Sequence, residues 1–220
     1  MVELITGLRA EVVRANLERV RSEIAGAGGD PASVEILAAV KYVPVGELGV
    51  LAQAGLTLVG ENRAQELVEK AEAYPGVFTW DFIGHLQSRK VPQLLPHVRY
   101  IETVASDSAL EQLGRHGDPE TEVLVEVNVA GEPGKSGIAP AELPGFIERS
   151  PVRVVGLMTM PPLAPEPEDS RRHFTALREL AGEHGLPQLS MGTSQDYLVA
   201  VQEGATIVRL GTSLYRSTAS

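Results

Sequence analysis

The chain has 220 residues, 43% hydrophobic and 22% charged, enough to bury a full core and within the size of one α/β barrel domain. Its 19 Lys and Arg against 29 Asp and Glu give a formal net charge of −10, which repels polyphosphate backbones, so nucleic acid is not an expected partner. The absence of cysteine excludes disulfides, thiolate nucleophiles and Cys-based zinc sites.

Residues 4–24 carry Leu4, Leu8, Val13, Leu17, Val20 and Ile24 at helical spacing, and Gly26, Gly28 and Gly29 end the segment. This predicts an amphipathic helix ahead of the first strand. Glu3, Arg9 and Glu11 among the apolar residues of the N-terminus argue against a signal peptide. No later stretch reaches ~18 uninterrupted apolar residues, so no membrane association is expected and a cytoplasmic protein is. Short β-branched runs then follow at 36–42, 58–62, 80–84, 100–104, 122–129, 152–158, 188–192 and 206–211, which makes eight strands. Helical patterning fills the intervals at 45–54, 63–73, 87–95, 106–115, 140–149, 168–184 and 195–203. Strict alternation predicts parallel strands with crossover helices, and eight strands predict closure. An open doubly wound sheet is disfavoured by the lack of GxGxxG after the first strand and of GxxxxGK[ST] anywhere. The expectation is therefore α/β: a single (β/α)₈ TIM-type barrel with an extra N-terminal helix, one domain over residues 1–220. The Pro-rich piece at 161–167 reads as a longer loop after the sixth strand.

Barrels keep their chemistry at the C-terminal rim, so what each strand ends on matters. In chain order the ends are Lys41, Glu61-Asn62, Gly84-His85, Glu102-Thr103, Asn128, Met158-Thr159, Gly192-Thr193-Ser194, and Arg209 with Gly211-Thr212. Alternation along the first strand puts Lys41 on the side of Leu37 and Ala39. If that side faces the barrel, an amine stands among apolar groups, where desolvation favours the neutral, imine-forming state. Its alternative is a strand-end lysine reaching into solvent. The glycines and hydroxyls after strands seven and eight sit where barrels commonly hold a phosphate, although Gly-Thr-Ser is also ordinary turn chemistry. Arg209 lies in an apolar strand and needs a partner: Glu61, Glu126, or a ligand nitrogen or phosphate. His85 has no second histidine at ligand spacing, and no metal is expected.

At these same residues the chain closely resembles the pyridoxal 5′-phosphate (PLP) homeostasis proteins, which share their fold with the N-terminal barrel of alanine racemases. The segments are Ala39-Val40-Lys41, Gly60-Glu61-Asn62-Arg63-Ala64-Gln65-Glu66, Phe82-Ile83-Gly84-His85-Leu86-Gln87-Ser88, Asn128, Lys135-Ser136-Gly137, Gly156-Leu157-Met158-Thr159-Met160, Met191-Gly192-Thr193-Ser194 with Asp196, and Val208-Arg209-Leu210-Gly211-Thr212. The resemblance implies PLP as cofactor in a Schiff base with Lys41. Asn62 and Met158 would flank the ring, Ser194, Gly211 and Thr212 would hold the phosphate, and Arg209 would face the pyridine nitrogen. An arginine there discourages protonation of the ring and makes it a weaker electron sink, which suits a carrier. Thr193 departs from the expected methionine, and Leu214-Tyr215-Arg216 departs from the family's Phe-Gly ending. Lys90 and Lys135 match family positions that raise secondary PLP attachment, against plain surface roles.

The expected function is a non-catalytic PLP-binding protein of vitamin B6 homeostasis, a monomer or weak dimer, with apo PLP-dependent enzymes as candidate acceptors. The alternative is a PLP-dependent amino-acid racemase, which needs a second base on the opposite face of the cofactor. Tyr42, Tyr197 and Tyr215 are local candidates, but the chain stops within about ten residues of the eighth strand, with no second domain to bring one. A third reading, a cofactor-free phosphate-binding barrel such as a sugar-phosphate enzyme, explains the rim but not the family segments.

Overall fold

Among the residues that the computed structural model describes, 4–216, parallel strands close into a barrel in the order β1 to β8, with β1 also paired to β8. The strands are β1 Glu35–Ala39, β2 Leu58–Glu61, β3 Thr79–Phe82, β4 Val98–Val104, β5 Glu122–Glu126, β6 Arg153–Met158, β7 Gln188–Thr193 and β8 Ile207–Leu210. The helices are α1 Ala10–Gly26, α2 Leu48–Gln53, α3 Ala64–Ala73, α4 Val91–Leu94, α5 Asp107–His116, α6 Leu143–Glu148, α7 Arg171–Glu183, α8 Tyr197–Gln202 and α9 Thr212–Tyr215. The predicted barrel with its extra N-terminal helix is what the chain forms.

Two apolar layers follow from the period-2 alternation of each strand. Outward residues such as Ala38, Val59, Trp80, Phe82, Ile101, Val123, Val125, Leu157 and Val208 pack with the helices in one continuous core. Inward residues form a second cluster of Leu37, Tyr100, Leu124, Met158 and Ile207, with Leu58, Ile83 and Val155 against it. The barrel is thus filled, and its upper layer is polar: Glu102, Ser190 and Arg209 are all buried there.

Several boundaries differ from those predicted, each for a local reason. Helix α1 starts at Ala10 rather than near Leu4, because Gly7 has φ +69° and the Gly7 and Leu8 N–H groups donate to Glu47 (2.9 and 3.0 Å). From there Val13, Leu17, Val20 and Ile24 are fully or almost fully buried, a stripe worth ~1.5–3 kcal/mol per side chain. Strand β5 stops at Glu126 instead of residue 129, since Val127 and Asn128 turn to bridge Ile138. The helix expected over 87–95 becomes a 3₁₀ turn, Ser88–Lys90, followed by the single turn α4, where Pro92 falls in the first turn. Helix α8 begins two residues late because the Asp196 carboxylate takes the Thr193 N–H (2.7 Å) and hydroxyl (3.1 Å).

The end of β3 approaches β2 more closely than any side chain permits. A Cβ added at Gly84 would stand 2.0 Å from the Asn62 carbonyl oxygen. Gly84→Ala is therefore expected to destabilise the protein by ~1–3 kcal/mol, read as a shift in the urea midpoint at constant slope. An unshifted midpoint shows that the Gly84–Asn62 approach is not a constraint.

Candidate functional site

The seven residues singled out from the sequence lie along one arc of the C-terminal rim, from β6 through β7, β8 and β1 to β2. Closure makes these strands contiguous. Lys41 differs from its expected setting: β1 ends at Ala39, and Lys41 is exposed in the turn beyond it. Its Nζ stands 4.9 Å from the Tyr42 ring centroid, a cation–π contact rather than an apolar burial. Alternation does carry it up from the inward face of Leu37, but the chain leaves the barrel before its amine is desolvated.

A buried ion pair fixes both Lys41 and Asn62 in place. On β2, Leu58 and Gly60 face inward, so Glu61 points outward to the helices, where it meets Lys70 of α3 at 2.5 Å. The two side chains are only 0% and 4% exposed. Lys70 Nζ also donates to the Val40 carbonyl (2.9 Å), directly before Lys41. The other Glu61 oxygen accepts from the backbone N–H of Asn62 (2.7 Å) and of Arg63 (3.2 Å). The Asn62 side-chain oxygen is buried and has no hydrogen-bond partner among the described residues. A buried amide oxygen left in that state is open to a donor, from a ligand or from water.

The loops after β7 and β8 face each other. Ser194 Oγ lies 3.0 Å from Ser213 Oγ and accepts a long bond from the Gly211 N–H (3.3 Å). Gly192 (φ +90°) has no room for a Cβ, which would meet Ala200 and Tyr197. Thr212 is exposed, and it is Ser213 that reaches Ser194. The sequence reading did not single out Ser213, although its signal was present: Gly-Thr-Ser occurs after both strands, at 192–194 and 211–213. Helix α1 braces this side of the rim. Arg19 donates to the Ser213 carbonyl (3.1 Å), Asn16 to those of Leu214 (3.1 Å) and Arg216 (2.9 Å), and Tyr197 to Glu23.

Arg209 is buried on the inward face of β8, and neither expected acidic partner holds it. Glu61 points out of the barrel to Lys70, and Glu126 accepts from Ser136. Instead Arg209 donates to Ser190 Oγ (2.5 Å), the Thr159 carbonyl (2.8 Å) and Met160 Sδ (2.9 Å), with Glu102 Oε2 at 3.9 Å. Burial pulls its affinity for protons below the ordinary arginine value, yet a guanidinium remains charged in proteins.

The chain matches the family model described as alanine racemase, N-terminal domain, over residues 9–219. A pyridoxal phosphate homeostasis protein of Aquifex aeolicus is 39% identical over 90% of this chain and 93% of its own length. One from Pseudomonas aeruginosa is 37% identical over 94% of each. The chain belongs to the pyridoxal phosphate homeostasis protein family. Among solved structures, PipY of Synechococcus elongatus with PLP bound is 31% identical, with a TM-score of 0.79 over 93% of this chain and 100% of that one.

The rim of this homeostasis-family barrel fits PLP on its own geometry: a lysine amine, an unpartnered buried amide, facing serine hydroxyls with a backbone N–H, and an anchored arginine. His85 is exposed, and Lys135 is paired with Glu132. Lys70→Met is expected to cost ~3–5 kcal/mol in urea unfolding, because Glu61 is then buried without its counter-charge. Adding Glu61→Gln should recover part of that loss. A cost below ~1 kcal/mol for the single change shows that the pair does not hold the Lys41 turn.

Proposed function

We propose that this protein acts in cytoplasmic vitamin B6 homeostasis as one barrel domain over residues 1–220, holding PLP as a Schiff base on Lys41 without turning over amino acids. The observation that carries the reading is the single contiguous arc bearing Lys41, Asn62, Ser194 and Arg209, on a barrel similar along 93% of its length to a PLP-bound relative. Apo forms of PLP-dependent enzymes are the acceptors we propose, and a monomer or weak dimer is the form.

Bound here, PLP supplies an aldehyde that condenses with an amine and releases water. The chain's own part is to place the groups around it. Lys41 presents an exposed amine over Tyr42, reachable from solvent. Ser194, the Gly211 N–H and Ser213 offer hydrogen bonds to a phosphate, with Thr212 beside them. Asn62 and Met158 would flank the ring. Arg209, as a donor that cannot accept, would keep the pyridine nitrogen unprotonated.

The absence of turnover draws support from the tyrosines. Two of the three candidates for an opposing base are engaged elsewhere: the Tyr215 hydroxyl donates to the Ala39 carbonyl (3.0 Å) and that of Tyr197 to Glu23. Burial raises both phenols well above the usual tyrosine value, so neither readily becomes a base. Losing such a proton-transfer group removes a factor of typically ~10²–10⁴ in rate.

Borohydride treatment of the PLP-loaded protein should fix the cofactor on Lys41, as read by peptide mapping. Recovery of the adduct chiefly on Lys90, Lys135 or another lysine overturns the assignment. Incubation with L-amino acids should give no sustained change in enantiomer, keto acid or amine, and steady turnover that vanishes in Lys41→Ala restores the racemase alternative. Ser194→Ala combined with Thr212→Ala should weaken PLP retention more than folding, each lost charge-assisted bond costing roughly 1.5–3 kcal/mol. Addition of Ser213→Ala should weaken it further, whereas unchanged PLP affinity in the triple variant sinks the phosphate-site assignment.

A further inference from the structure

The barrel buries an acid that none of the roles above uses. Glu102 on β4 is fully buried, and one of its oxygens, Oε1, has no hydrogen-bond partner among the described residues. Its other oxygen accepts from Ser190 Oγ at 2.6 Å, and Ser190 in turn accepts from Arg209 at 2.5 Å. The direction of this relay is fixed. Arginine can only donate, so the single serine proton must go to the carboxyl. Arg209, Ser190 and Glu102 thus form a three-membered chain across β8, β7 and β4, ending on a carboxyl 3.9 Å from the guanidinium.

We propose that Glu102, acting through Ser190, is a positioning residue that sets how strongly Arg209 engages the pyridine edge of the bound cofactor. This rests on the PLP reading above. A neutral Glu102 leaves Arg209 a buried cation whose contacts are a hydroxyl, a carbonyl and a thioether, so it gains most from a further acceptor. An ionised Glu102 is a counter-charge and reduces that demand. The switch lies in the working range, because burial, reinforced by nearby Asp81, pushes the Glu102 carboxyl up to about 8 against the pull of Arg209. The surrounding charges are accounted for. Asp81 of β3 is paired with Arg99 of β4 (2.6 Å), which also binds Glu35 of β1 (2.7 Å). Glu126 of β5 and Asp196 after β7 also act on Arg209 through their charge, less strongly than Glu102.

Two consequences are separable. In the protein without PLP, an acid whose carboxyl is raised on folding stabilises the fold least at high pH. Relative to Glu102→Gln, the wild-type folding constant should fall by at least about tenfold between pH 5 and 8.5, the equivalent of one pKa unit. With PLP, the wild-type dissociation constant should rise several-fold from pH 7 to 9 beyond the rise in Glu102→Gln. That variant shares every other titrating group, Lys41 included. Ser190→Ala removes the bridging hydroxyl while keeping the carboxyl 3.9 Å from Arg209, and should reduce the pH dependence of PLP binding without abolishing it. Should Glu102→Gln fail to fold, Ser190→Ala carries the PLP test alone. Parallel wild-type and variant PLP profiles overturn the proposal. A wild-type protein that binds no PLP overturns instead the function it rests on, and the cofactor-free stability series still reports whether Glu102 is the titrating acid.

Discussion

Pairing of β8 with β1, from Ile207 against Glu35 to Leu210 against Ala38, is the contact on which the rest of the molecule depends. Residues more than 170 positions apart become neighbours through it, and Gly211 comes to lie against Ala39, two residues before Lys41. Without closure the two Gly-Thr-Ser loops and the lysine would sit at opposite edges of an open sheet. Parallel strands impose the second half of the constraint, since every strand then delivers its C-terminal end to the same rim. The Tyr215 hydroxyl seals the junction by donating to the Ala39 carbonyl (3.0 Å).

A closed barrel is also a demanding place for charge. Two polar solutions coexist, one outside the sheet and one inside. Glu61 and Lys70 meet between strand and helix with nearly every hydrogen-bonding position filled, so the desolvation of both charges is offset by short contacts and by the backbone of Val40, Asn62 and Arg63. Inside, Arg209 and Glu102 are less completely matched. A hydroxyl intervenes between them, and one carboxyl oxygen is left over. The well-satisfied pair is a clamp on backbone. The incompletely satisfied one retains the capacity to respond to what binds above it.

The barrel was readable because its signals are periodic and repeated: eight β-branched runs separated by helical patterns admit few arrangements. The rim was readable for the same reason, as strand ends mark themselves by a change of composition. What the sequence hid were choices of face and partner. Whether Glu61 or Glu102 lies near Arg209 depends on alternation across strands of unknown register, and β4 carries register irregularities with both neighbours. Lys70 looked like an ordinary helix lysine, since nothing local announces that it reaches Val40. The exposure of Lys41 turned on whether the strand ended two residues earlier, a boundary set by the turn through Val43 and not by the apolar run. Ser213 was legible as a repeat of Gly-Thr-Ser, but only once both loops are known to converge.

An exposed Lys41 bears on what kind of PLP protein such a rim supports. If Lys41 carries the cofactor as proposed, an imine there is in contact with water and open to hydrolysis and to exchange with incoming amines, so retention would fall to the non-covalent anchors. In the proposed site, charge-assisted hydrogen bonds to the Ser194, Ser213 and Gly211 donors would contribute about 1.5–3 kcal/mol each, and three of them together would correspond to affinities of roughly millimolar to micromolar. In the proposed site, Asn62 and Met158 beside the ring and Arg209 at the pyridine nitrogen would tighten this without making it irreversible. A catalyst works by the opposite arrangement, a closed site with a desolvated lysine and a free opposing base. Here the lysine is exposed and the Tyr197 and Tyr215 hydroxyls hold the scaffold together, and in the proposed site Arg209 at the pyridine nitrogen would temper the ring as an electron sink. Each departure from the catalytic arrangement would make capture and release of the aldehyde easier, which is the chemistry the proposed reservoir role requires.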